Sequence, residues 1–399
     1  MAGERQAIQT ALDQGEGILR LLPTWVPRAF CVPGKRLKLH PSDYYAFGAD
    51  RGGIDERWFA STAKADNGPG TRPDEGLSYV QVDGGAPARV LLREAIELCG
   101  AEILGPEVMA RHGGWTMFAK FFDNQQPLPF HVHHSDARAA EVGQKGKPEA
   151  YWFPPQLNPH PGAFPYTFFG LDPGTTPDDV KRCLARWEQG ENGILDLSRA
   201  WRIRPGTGWD VPPGVLHAPG TLLTYEPQRA SDVYAMFQSL VWDAYLPVER
   251  LWVHLPPERR GDLDAALSLL DWPTNVDPLF REHRFMPPKP VRPVEEMRDQ
   301  GAEERWIAYK SEWFSAKELT VLPGRSAVVR DEGAYGAIVI QGRGRVGPLE
   351  VESPAMIRFG EPTRDELFVT APAAARGVSV ANTSASEDLV LLKHLGPRV

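Results

Sequence analysis

The sequence predicts a mainly β protein built as two β-barrel units, with a helical insertion in the N-terminal half. Three observations predict it. The 399 residues include 38 glycines and 38 prolines, a punctuation that makes many tight turns and leaves room for few long helices. Short runs rich in β-branched and aromatic residues recur between those turns, ahead of residue 255 and again after residue 300. Finally, His131-Val132-His133 alternates with the period of a strand, which turns both imidazoles to one face, and Pro212-Pro213-Gly214-Val215-Leu216-His217 brings up another histidine after a turn. At about 150 residues per domain the chain is long enough for two or three units. The division expected is 1–255, a helical and proline-rich connector at 256–300, and 301–399.

Taken in order, Arg5 to Leu22 places Ile8, Leu12, Ile18, Leu19 and Leu22 near helical spacing before Pro23 ends the run, so a short opening helix is expected. Glycine and proline then break the chain into short pieces such as Ser78 to Val82. From Arg89 to His112, Val90, Leu91, Ala95, Ile96, Leu98 and Ile103 form one apolar face, with Gly105-Pro106 as punctuation; this is the insertion, about residues 89–113. Trp115 to Phe122 reads as a buried strand in which Lys120 is the one long cation. Asn124 to Pro127 turns the chain into the histidine strand, and Glu149 to Phe153 is a strand that Pro154-Pro155 stops. Asp178 to Gln189 is helical between Pro177 and Gly190. Leu222 to Glu226 and Val233 to Trp242 close the unit. A helical pattern at Leu263 to Leu270 precedes Pro287 to Pro293, whose prolines favour extended polyproline geometry and mark a spacer. Strands at Leu319–Leu322, Ala334–Ile340, Val346–Val351, Ala355–Phe359, Val378–Asn382 and Val390–Lys393 then have the rhythm of a second barrel.

Composition narrows the function. With 42% hydrophobic and 24% charged residues and a net charge of -8, the chain has the make-up of an ordinary globular protein, and the absence of a long basic run argues against nucleic acid or an anionic membrane as partner. A small molecule is the natural partner. Cys31, Cys99 and Cys183 are scattered, with no CxxC, which fits a reducing compartment. The first residues lack the apolar run of a signal peptide or membrane span, so a cytoplasmic location is expected.

Two inward imidazoles on one strand form a chelate, and a metal needs further donors. The sequence offers Glu149 and His217 as the third and fourth, a three-histidine, one-glutamate set of the kind that suits Zn, Fe, Mn or Ni. Here the residues carry a resemblance. Gly206, Pro212, Gly214 and His217 match the second cupin motif, and His131-Val132-His133 matches the heart of the first. The wider pattern resembles the class I mannose-6-phosphate isomerases. It runs through Glu56-Arg57-Trp58 with Ser61, Lys120-Phe121-Phe122-Asp123 with Gln126-Pro127-Leu128, Val132-His133, and Gly146-Lys147-Pro148-Glu149. It continues through Pro212 to Ala218, Glu226-Pro227-Gln228 and Ser231-Asp232-Val233, in the family's order. The family usually has glutamine at the position of His131 and proline at that of His134, and an arginine shortly after Ser-Asp where this chain has Tyr234-Ala235-Met236-Phe237.

The resemblance implies two cupin (jelly-roll) barrels. The first would hold one divalent metal, zinc in such an enzyme, through His131, His133, Glu149 and His217; the second would be metal-free. It implies aldose–ketose isomerisation of mannose-6-phosphate and fructose-6-phosphate or a related sugar, with Lys147 and Lys120 as the catalytic candidates. A homodimer is compatible with it. His134 is expected to face away from the metal, as a rim residue or structural hydrogen-bonder. Arg138, Arg229 and Lys145 are the nearest cations for a phosphate, though each reads more simply as a solvated charge. The aromatic group from Tyr151 to Phe169 reads as packing. The alternatives are a cupin enzyme acting on an unphosphorylated sugar, an oxygen-using cupin, and a non-catalytic sugar-binding or sensing protein.

Overall fold

The computed structural model describes residues 2–82, 88–160 and 164–397, and it is mainly β with helices between and beside its sheets. Two antiparallel sheets are made largely from the middle of the chain. One has five strands in the order Ser198–Arg202, Tyr166–Leu171, His217–Ala218, His131–Val132, Ala235–Met236. The other has seven, in the order Phe285–Met286, Gly208–Val211, Glu149–Trp152, Thr224–Arg229, Met117–Phe122, Gly53–Phe59, Thr24–Arg28. The C-terminal residues supply most of a nine-stranded sheet and all of a four-stranded one.

The nine-stranded sheet draws on both ends of the chain. Ile18–Leu22 pairs with Glu366–Val369 on one side and with Tyr79–Gln81 on the other, and Arg89–Leu91 completes that edge. The opening helix is therefore shorter than its apolar spacing suggests, covering Ala2–Gln14. Glu16 and Gly17 adopt φ of 53° and 85°, which ends a right-handed helix, and Ile18 starts a strand. Short apolar runs do not tell helix from strand by spacing alone. Likewise Arg89–Leu91 is strand, and the helices that follow are Leu92–Leu104 and Pro106–His112. No strand forms at Ala355–Phe359, where Ile357 makes an isolated bridge to Leu39. Edge strands lie at and just before the proline cluster. Phe285–Met286 is an edge strand of the seven-stranded sheet and Lys289–Pro290 an edge strand of the nine-stranded one, the positions where proline costs no ladder bond.

One core runs between these two large sheets, joining Phe121, Trp152 and Tyr225 to Ile338, Val390 and Leu392. His394 lies in it with 0% exposure and its Nδ1 is 2.9 Å from the Tyr225 hydroxyl. Burial pushes its pKa down to about 3, so the folded chain holds it neutral. An unfolded imidazole titrates near ~6.5, so below that pH the unfolded chain binds more protons and stability falls as pH drops toward the folded value. The urea midpoint is expected to be lower at pH 5 than at pH 7.5, and His394→Gln is expected to narrow that difference. An undiminished difference in the variant would remove His394 as a source of it.

Candidate metal centre

The sequence places the donors by strand parity and by turns. His131 and His217 are direct cross-strand partners in the five-stranded sheet, and His133 follows two residues along the chain. The turn Pro212–Val215 is held by two contacts. Gly214, at φ +82°, donates its N–H to the His133 carbonyl at 2.8 Å, and a side chain there would meet Asp271. Buried Asn275 donates to the Gly214 carbonyl at 2.6 Å and accepts from the Leu216 N–H at 2.9 Å. The second histidine segment is thus tied to the first.

All three imidazoles are oriented the same way. The Nδ1 atoms of His131, His133 and His217 lie 2.6, 2.8 and 2.8 Å from the carbonyls of Pro129, Val233 and Val215. A carbonyl can only accept, so each Nδ1 carries the proton and each Nε2 keeps its lone pair, the arrangement metal-bound histidines have. Among the described residues these three form one group whose ligand atoms lie within 4.8 Å of one another. Their exposures are 7%, 5% and 0%. Burial and the neighbouring imidazoles push His131 well below the ordinary histidine pKa, while burial and the Lys147 ammonium push His133 down to about 3. Both are neutral donors near pH 7.

Glu149 comes from the facing seven-stranded sheet. Its Oε2 is 3.0 Å from His133 Nε2 and its Oε1 is 3.1 Å from His217 Nε2, and Tyr151 donates its hydroxyl to Oε1 at 2.6 Å. Burial would raise its pKa, but the Lys147 ammonium and the two imidazoles outweigh that and hold it well below the usual carboxylate range. Lys147 Nζ lies 3.0 Å from His133 Nε2 and 3.1 Å from Glu149 Oε2, against the donors as a cation would. The donor set passes a direct test of fit. Neutral imidazole nitrogens and a carboxylate converge from two sheets, and His217 Nε2 is buried with no hydrogen-bond partner, a cost that a bound cation removes.

The charges continue across the inner face of the seven-stranded sheet. Glu226 Oε1 lies 3.7 Å from Lys147 Nζ and 3.3 Å from Lys120 Nζ. Lys120 is 3.4 Å from Glu56, Glu56 is 3.2 Å from Arg28, and Arg28 is 3.3 Å from Asp232. Burial pulls the Lys120 pKa down, but the carboxylates of Glu226 and Glu56 outweigh it and hold it above the ordinary lysine value. Glu226 moves the other way: burial and the Glu149 carboxylate push it up to about 8.

The remaining candidates lie apart. His134 Nε2 is 3.1 Å from the His254 carbonyl. Arg138 pairs with Glu141 at 2.7 Å, Arg229 pairs with Asp136 and covers the Trp313 ring at 3.6 Å, and Lys145 is exposed. Phe169 packs on Tyr151, Trp209 and Phe280. Sequence reasoning read Tyr151 as packing, placed Glu56 and Glu226 only within the resemblance, and gave no site role to Arg28. A lysine in so apolar a strand was the available signal, because a buried ammonium needs a counter-charge on an adjacent strand. Glu226 is its direct cross-strand partner.

Fold and site together define a β-rich protein with a candidate metal centre between two antiparallel sheets. Solved structures of the same fold are mannose-6-phosphate isomerases. A putative mannosephosphate isomerase from Archaeoglobus fulgidus aligns with a TM-score of 0.63 at 14% identity, covering 96% of this chain and 98% of that one. The mannose 6-phosphate isomerase from Bacillus subtilis aligns with a TM-score of 0.62 at 17% identity, covering 95% and 99%. A zinc-bound mannose 6-phosphate isomerase aligns with a TM-score of 0.63 at 13% identity, covering 96% and 100%. No family model matches the sequence, and no curated protein matches it. Among the described residues no helix is long and apolar enough to cross a membrane.

Proposed function

We propose that this chain is a metal-dependent aldose–ketose isomerase, acting on mannose-6-phosphate and fructose-6-phosphate or a closely related sugar. In this reading it has two cupin barrels, the first formed by the five- and seven-stranded sheets and the second by the nine- and four-stranded sheets, with the helices at 92–112 as an insertion. The observation that carries the reading is the set of three Nε2 lone pairs fixed by Nδ1–carbonyl bonds and met by Glu149. His131, His133, Glu149 and His217 would hold one divalent metal, zinc by preference. When bound, it supplies positive charge that orients and polarises the sugar's C1 and C2 oxygens.

Isomerisation moves a proton between C1 and C2 through an enediol. Lys147 is the candidate to carry it, because its amine stands against His133 and Glu149 and only one further carboxylate, Glu226, approaches it. Glu226, at about 8, can hold or release a proton near neutrality and back up Lys147. Lys120, kept protonated by Glu56 and, whenever it is ionised, by Glu226, supplies positive charge that steadies the oxyanion as it forms. Phosphate recognition falls to other cations than Arg138 and Arg229, whose charges are already paired.

The test is elemental analysis of the purified protein joined to a panel of aldoses and ketoses, with and without phosphate. About one divalent metal per chain and chelator-sensitive isomerisation are expected. Metal-free protein that isomerises nothing in the panel would sink the proposal, and bound iron with substrate-dependent oxygen uptake would replace it by an oxygenase. Lys147→Met is expected to lower kcat by about 10²–10⁴-fold with metal content retained; loss of metal instead would assign Lys147 to building the centre.

A further inference from the structure

A second set of buried charges lies on the nine-stranded sheet, which carries Glu304, Lys317 and Lys393, and on the loop at Asp331 that packs on it. Asp331 accepts from Lys317 Nζ at 2.6 Å and from Lys393 Nζ at 2.6 Å. Glu304 lies 3.5 Å from Lys317 and also touches Lys393. Lys393, Asp331, Lys317 and Glu304 are 1%, 6%, 7% and 9% exposed. Lys317 and Lys393 are direct cross-strand partners, a pairing of like charges that is unfavourable by itself and that the two carboxylates neutralise. An apolar core would avoid the desolvation these four groups cost, so stability alone does not account for them.

Lys317 and Asp331 open onto a cavity of ≈ 670 Å³ that is also lined by Trp115, Trp306, Ser315 and Arg330, within the size range of small-molecule sites. None of its lining residues belongs to the candidate metal centre or its row of charges. The Lys317 ammonium sits 4.4 Å from the Trp306 ring centroid and fixes that wall. The charged lining sets Lys317 and Arg330 against Glu107, Asp331 and Glu332, a mixture that does not attract an anion but offers both donors and acceptors to hydroxyl groups, each of which donates and accepts. Indole walls add flat apolar surface of the kind that covers the C–H face of a sugar ring.

We propose that this cavity is a second, non-catalytic binding site for a neutral carbohydrate, a free monosaccharide or polyol. It is independent of the isomerase reading. Chelator-treated protein is titrated with D-mannose, D-fructose, D-glucose, mannitol and mannose-6-phosphate, followed by calorimetry and intrinsic tryptophan fluorescence. At least one neutral sugar is expected to saturate with a fluorescence change. One equivalent of bound sugar is expected to disappear in Ser315→Trp, which fills the cavity, and the affinity in Trp306→Ala is expected to fall by roughly tenfold or more. Both variants are expected to keep the wild-type metal content and a cooperative unfolding transition, which separates loss of the site from loss of fold. Three results would each overturn the proposal: no saturable binding of any neutral sugar, stoichiometry unchanged in Ser315→Trp, or a cavity that takes only the phosphorylated sugar.

Discussion

Replacing His217 with alanine is expected to remove most of the bound metal and all measurable turnover. His217 is 0% exposed, is paired across the sheet with His131, and has its Nε2 3.1 Å from Glu149. Alanine therefore deletes a donor that nothing nearby replaces. Glu149 loses one of its two imidazole partners and is left to the Lys147 ammonium at 3.1 Å, an ion pair that competes directly with an incoming cation. Tyr151→Phe provides the graded control. It removes only the 2.6 Å hydrogen bond to Glu149 Oε1, and loss of such an outer partner typically costs about 10–100-fold in metal affinity. The measurements are metal per chain by elemental analysis and the rise in melting temperature on adding zinc. At a metal concentration of about 1,000 times Kd, binding stabilises the folded state by about 4 kcal/mol. That rise should be large in the wild type, smaller in Tyr151→Phe and absent in His217→Ala. Stoichiometric metal and an undiminished rise in His217→Ala would contradict the ligand assignment.

The grouping of the three histidines was legible because the period of a strand is local information. Alternation puts His131 and His133 on one face, and Pro-Pro-Gly before Val215-Leu216-His217 marks a turn that starts another strand. Which strand faces which is not local. Ile18–Leu22 reads as the tail of a helix until Glu366–Val369 pairs with it, and no pattern within the 343 intervening residues discloses that partner. The same holds for electrostatics. Lys120 stands out in its apolar strand, but its neutralisation by Glu226 and Glu56 depends on the order of three strands in the sheet. Arg28 carries no signal at all, since a charged residue closing a short strand is usually exposed, and here it is 5% exposed between Glu56 and Asp232. Parity assigns a residue to a face; only the topology says what else is there.

Neighbouring residues on one strand show the consequence and carry the second large effect. Glu56 turns toward the row of charges that leads to the candidate metal centre, and Arg57, one residue on, turns to the opposite face and the nine-stranded sheet. There its guanidinium makes a bidentate pair with Asp365, at 2.7 and 2.8 Å, and reaches Glu366 at 3.4 Å. It also lies 5.4 Å from the Trp25 ring centroid and 5.3 Å from that of Phe59. Arg57, Asp365 and Glu366 are 3%, 2% and 1% exposed. Arg57→Met is therefore expected to cost about 3–5 kcal/mol, the penalty for leaving a buried charge without its partner, against a total of about 5–15 kcal/mol for a folded domain. Arg57→Lys should also lose stability, because an ammonium cannot reproduce the two-pronged bond. If the loss comes from the stranded carboxylate, removing it as well should restore much of what was lost, so Arg57→Met with Asp365→Asn is expected to unfold at a higher urea concentration than Arg57→Met alone. Urea unfolding of the wild type, both single variants and the double variant measures the coupling directly. Additive losses would mean that the pair contributes nothing as a pair, and that the junction between the two large sheets is held by its apolar core.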